Sequence, residues 1–151
     1  MGTTKAVQAP KLVGFGEIRG TPIKGWEQFL EEGRQFLKTA DNAYRQQRKV
    51  FSTEVLYNLV AMAIEKLIMA QLMVGGNLPY NHTMHDLVEA MEEFLPGRLQ
   101  HLGPELKALD AWQEICDLEE YTIKVPDRAE IQQMLEVALE LERLTINRIL
   151  R

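Results

Sequence analysis

A single cysteine, Cys116, stands among the 151 residues. That scarcity excludes an intrachain disulfide framework and any multi-cysteine metal site. On an apolar helical pattern, a lone cysteine reads as a small buried hydrophobe. Basic charge is also short, because 17 Lys and Arg against 22 Asp and Glu leave a net −5, which argues against a dedicated nucleic-acid coat protein. No apolar stretch of the kind a secretory signal needs follows Lys5 and Lys11. The most membrane-like stretch, 55–74, is interrupted by Asn58, Glu65 and Lys66, and it reads as a buried helix of a soluble, cytoplasmic protein with no membrane partner. No segment alternates with period two over a useful length, and neither an internal repeat nor a low-complexity run occurs. What the chain does have is 46% hydrophobic residues, enough for the core of one domain of this size.

The apolar residues recur with helical spacing. Residues 1–22, with glycines at 14, 16 and 20, carry no period and read as an extended arm whose Leu12, Val13, Phe15 and Ile18 can dock; residues 23–151 form a single helical domain. Helix one is expected from Ile23–Gly25 onward, with Trp26, Phe29, Leu30, Gly33, Phe36, Leu37, Ala40 and Tyr44 on one face, ending in the basic run 45–49. Its aromatic area exceeds what one bundle face needs, which suggests a homodimer, twofold symmetry being the commonest. Helix two follows a Ser52 or Thr53 cap and stops at Gly75-Gly76-Asn77. It is apolar nearly all round and therefore central. Its exceptions, Tyr57, Asn58 and Glu65, read as a buried polar stripe, in which Glu65 needs a partner. Helix three is capped by Thr83 with Asp86. A shorter helix starts near Pro104, and a last one starts after Asp127 with Glu130 completing its box. The expectation is an all-α, up-and-down bundle of four main helices plus one shorter one. Charge divides unevenly, +4 over residues 1–50 and −9 over 51–151, with ten acids and two bases in 86–120.

Catalytic patterns are sparse. No His has a Glu three residues before it, so the Glu-x-x-His pairs of di-iron bundles are missing. His82-x-x-His85 lacks an H-E-x-x-H frame, and Gly75-Gly76 lacks the Lys-Ser/Thr of a phosphate loop. No G-x-S-x-G elbow is present. No metal, cofactor or catalytic residue is assigned. The remaining candidate is an anion site where helix three begins. Free backbone N–H groups there attract phosphate, Asn81, His82 and His85 add donors, and Lys66 and Arg98 are candidate cations. The acidic 86–120 segment would repel RNA, so a mononucleotide is the expected ligand.

The run from Tyr57 to Ala70, with Ala63, Glu65, Lys66 and Ala70 at its marked positions, resembles the second helix of HEPN domains, the helical nucleotide-binding domains of higher eukaryotes and prokaryotes. The glycine break, Pro79, His82 and Leu87 continue the likeness. Tyr121 and Val125-Pro126-Asp127 resemble the tyrosine and R-Y-P-D that precede the family's last helix, with Lys124 and Val125 departing from its Arg and Tyr. The resemblance covers roughly 26–150 and implies a bundle of four to five helices, frequent dimerisation and, in some members, pairing with a minimal nucleotidyltransferase in toxin–antitoxin-like modules. Ribonuclease members carry an Arg, four to six residues, then His. No Arg here has a His at that distance; Arg98 and His101 are only three apart. The resemblance therefore implies a non-catalytic module that binds a nucleotide or a partner protein. The alternative is a divergent RNA-cleaving enzyme using His82, His85, Arg98 or His101.

Overall fold

Three side chains start three helices. Ser52 Oγ accepts the Val55 N–H at 3.2 Å, Thr83 Oγ1 accepts the Asp86 N–H at 3.1 Å, and Asp127 Oδ1 accepts the Glu130 N–H at 2.8 Å. Each cap satisfies a donor that a helix start leaves without a partner. The computed structural model describes residues 20–112 and 125–150, which form α1 (Trp26–Arg45), α2 (Thr53–Val74), α3 (Met84–Phe94), α4 (Leu102–Lys107) and α5 (Arg128–Ile149), with a 3₁₀ segment Ala108–Trp112 after α4 and no strand among these residues. The fold is all-α. The docking residues of the arm, together with Cys116, Tyr121 and Lys124, lie outside the described residues.

The central helix is α2, as its pattern requires. It packs against α1, α5 and α3, and Leu56, Ile64, Leu67, Ile68 and Leu72 are essentially fully buried. Each such side chain contributes about 1.5–3 kcal/mol of transfer free energy. By length and composition α2 is apolar enough to cross a membrane, but 67% of its most apolar window is buried inside the protein, which is the signature of a core helix. Its burial is nevertheless not all-round: Val55, Asn58 and Met62 share an exposed flank.

Gly33 of α1 sits where a Cβ would stand 3.1 Å from Leu67 Cγ and 3.2 Å from both the Ala63 oxygen and the Leu67 nitrogen. The missing side chain lets the two helices approach closely. Trp26, Phe29, Phe36 and Tyr44 are all half-buried against the core. A second junction ties the chain ahead of α1 to the end of α2. Gly20 N–H donates to the Gly75 oxygen at 3.0 Å and Ile23 N–H to the Met73 oxygen at 2.8 Å. Gly20 and Ile23, on either side of Pro22, are thus both joined to the end of α2. The shorter helix begins two residues ahead of Pro104, at Leu102; proline is tolerated throughout a first turn, where its missing N–H has no helical partner to lose.

Candidate functional site

The start of α3 was the expected anion site, and the protein fills it from within. Asp110, on the 3₁₀ segment, accepts the Met84 N–H through Oδ1 at 2.9 Å and the His85 N–H through Oδ2 at 2.8 Å. The Asp86 N–H goes to Thr83. Two of the donors that would have received phosphate are therefore bonded to a carboxylate, a group of the same sign of charge, and the third to a hydroxyl.

Three of the side chains assigned to that site, Lys66, His82 and His85, lie against carboxylates. Lys66 Nζ pairs with Glu32 Oε2 of α1 at 2.5 Å and lies 4.7 Å from the Phe29 ring centroid. Its hydrogen bond holds the Glu32 carboxyl below its ordinary value. Lys66 thus joins α2 to α1, whereas the sequence placed it toward the 82–85 loop. His82 Nδ1 meets Glu65 Oε1 at 2.6 Å, both side chains being partly exposed. His85 lies 3.6 Å from Glu89, which Lys107 holds more closely at 2.9 Å. The Lys107 hydrogen bond, then its charge and that of His85, lower the Glu89 carboxyl below its usual range. Asn81 is exposed, and Arg98 is half-buried, its backbone N–H bonded to the Leu95 oxygen.

The polar stripe of α2 separates into independent parts. Glu65 finds its partner in His82, off the helix. The Tyr57 hydroxyl donates to the Leu109 oxygen at 3.2 Å, and Asn58 is exposed. A buried network of the three is not formed. The histidines of the enzymatic alternative are similarly divided: His82 turns to Glu65, His85 to Glu89, and His101 to a groove on another side. Among the described residues, no three His, Cys, Asp or Glu side chains converge as metal ligands.

That groove, between α4 with its 3₁₀ extension and α5, is a concavity of about 600 Å³. Its apolar wall comes from Leu102, Leu109, Trp112, Met134 and Val137, and its polar border from Glu105, Glu130, Glu136 and Glu140, with His101 at one end. Arg143 hydrogen-bonds Glu140 and, with a smaller contribution from His101, keeps that carboxyl below its ordinary value. One oxygen of Glu130, Oε2, is buried with no hydrogen-bond partner among the described residues. A buried carboxylate oxygen left in that state is costly and favours a donor or cation brought by an occupant. Sequence reading missed this groove because its two walls, 101–112 and 130–140, are far apart in the chain. The spacing of Glu130, Glu136 and Glu140 along α5 was its only local trace.

Comparison with family models, with curated proteins and with solved structures gives no match.

Proposed function

We propose that the chain is a non-catalytic interaction module, HEPN-like in its motifs, which recognises a cationic amphipathic protein segment. The α4–α5 groove carries this reading. Apolar side chains of a partner helix or strand would lie on Leu109, Met134 and Val137, and its Lys or Arg residues would meet Glu105, Glu136 and Glu140. Two further observations favour a protein segment over a nucleotide. The N–H groups at the start of α3 are already bonded to Asp110 and Thr83, and Lys66 and Lys107 are already paired with carboxylates. A minimal nucleotidyltransferase, the partner the resemblance implies, fits this reading if it presents such a segment.

The test is a titration followed by backbone amide shifts. A short Lys/Leu amphipathic peptide should move Leu109, Glu136, Val137 and Glu140, and the effect should shrink with added salt. Its Glu/Leu counterpart should leave them in place. Perturbation confined to residues 80–86 by ATP, GTP or AMP would replace this reading with the nucleotide one.

A further inference from the structure

The chain has three histidines, and their ring nitrogens stand in different surroundings. His82 meets Glu65 through Nδ1 at 2.6 Å. An ionised carboxylate can only accept, so the proton of the neutral ring sits on Nδ1, and Nε2 on the opposite edge keeps its lone pair. The His82 side chain is 59% exposed, which presents that edge to a group brought from outside. His85 has the reverse arrangement. Its Nε2 is the nitrogen nearest an acid, 3.6 Å from Glu89, and Lys107 holds that carboxylate more closely at 2.9 Å. His101 stands among the acids of the groove border, Glu105 and Glu140.

The His82 ring is also held in place. Glu65 projects from α2, where its neighbours Ile64 and Leu67 are fully buried. One residue beyond His82, the Thr83 hydroxyl accepts the Asp86 N–H at 3.1 Å, and Asp110 holds the Met84 and His85 N–H groups at 2.9 and 2.8 Å. The imidazole thus stands between a core helix and a capped helix start, with its tautomer and orientation set before any reaction. A carboxylate on Nδ1 also meets the positive charge that the ring acquires when Nε2 forms a bond.

We infer that His82 is a phosphoryl-acceptor site, modified at Nε2 by a donor of the phosphoramidate class, to which a phosphohistidine on a partner protein belongs. The Nε2 lone pair attacks phosphorus, the P–Nε2 bond forms, and the donor's P–N bond breaks. The donor nitrogen, already protonated, takes the bonding pair and leaves as a neutral amine or imidazole. His82 keeps its Nδ1 proton, and Glu65 balances the positive charge on the ring, so no proton is exchanged with solvent. One P–N bond replaces another, and nothing beyond the donor is consumed. His82 is the nucleophile and Glu65 a positioning residue. The site stands apart from the α4–α5 groove and does not rest on the reading proposed for it.

The test incubates the full chain with potassium phosphoramidate and follows each histidine by peptide mass mapping and by nitrogen–phosphorus coupling in NMR spectra. His82 should be labelled about tenfold faster than His85 and His101, and through Nε2 alone. The other two histidines, exposed on the same chain, calibrate the reaction of an unassisted imidazole. Glu65→Ala should slow His82 to their rate and divide the label between its two nitrogens, with helical circular dichroism unchanged. Equal rates at the three histidines would overturn the inference, as would label on Nδ1 of His82 in the wild type. A His82 that stays fast and selective after Glu65→Ala would overturn it too, because the carboxylate would then take no part.

Discussion

The Gln71–Thr145 pair is the clearest residue-scale link in the core. Gln71 is 5% exposed and Thr145 fully buried; the Thr145 hydroxyl accepts from Gln71 and donates to the Leu141 oxygen at 2.7 Å. Thr145→Val would leave the Gln71 amide buried without its acceptor, and should destabilise the fold by about 1–3 kcal/mol in urea unfolding. Combining it with Gln71→Leu should cost less than the two single changes summed, because neither polar group is then left alone. Gly76 makes a second residue-scale case. Its φ is +80°, and a Cβ there would stand 2.7 Å from the Thr21 oxygen. Gly76→Ala should therefore lower stability by about 1–3 kcal/mol, and amide exchange at Gly20 and Ile23 should report loosening of that junction first.

At the scale of elements, the local signals were legible and the distant ones were not. Ser52, Thr83 and Asp127 cap the helices expected of them because a cap and its amide lie three residues apart, within one turn of sequence. Asp110 caps α3 from twenty-five residues away, and no periodicity announces such a bond. The pairing of Lys66 with Glu32 spans 34 residues and leaves no local sign either. Asn58 was misread for a different reason. Apolar residues surround it in sequence, but Val55 and Met62, three before it and four after, are 41% exposed like the flank it occupies. Gly33 was legible as a point of close approach between helices, and it gives a prediction of sign. Alanine is the better helix former by about 1 kcal/mol, yet its Cβ would press on backbone atoms of α2 that move only with the whole helix, a crowding that costs typically 1–3 kcal/mol. Gly33→Ala should destabilise on balance, read as a lower urea midpoint with an unchanged slope.

For the whole molecule, the pH dependence of stability combines opposite contributions. Glu32, Glu89 and Glu140 titrate below the ordinary 4.5 through their hydrogen bonds to Lys66, Lys107 and Arg143. Their contribution is present above that value and fades as pH falls through the lowered ones. Glu142, beside Arg34 and Asp41 in the α1–α5 cleft, is shifted upward, mainly by burial, with Asp41 adding and Arg34 opposing. Its charged form therefore costs stability at neutral pH, and that cost is relieved as pH falls through the raised value toward 4.5. Glu142→Gln should melt above wild type at about pH 7 and lose that advantage by about pH 4. A disadvantage at about pH 7 that faded on acidification would show that Arg34, and not burial, governs this carboxyl. How the fold tolerates substitution also follows from one bond pair. Asp110 addresses backbone amides, so the requirement it imposes is written on one side only. His85 is exposed, and almost any residue in its place keeps the same N–H. In a saturation scan, position 85 should accept nearly every side chain, while position 110, half-exposed and unremarkable by hydropathy, should accept little beyond aspartate and asparagine.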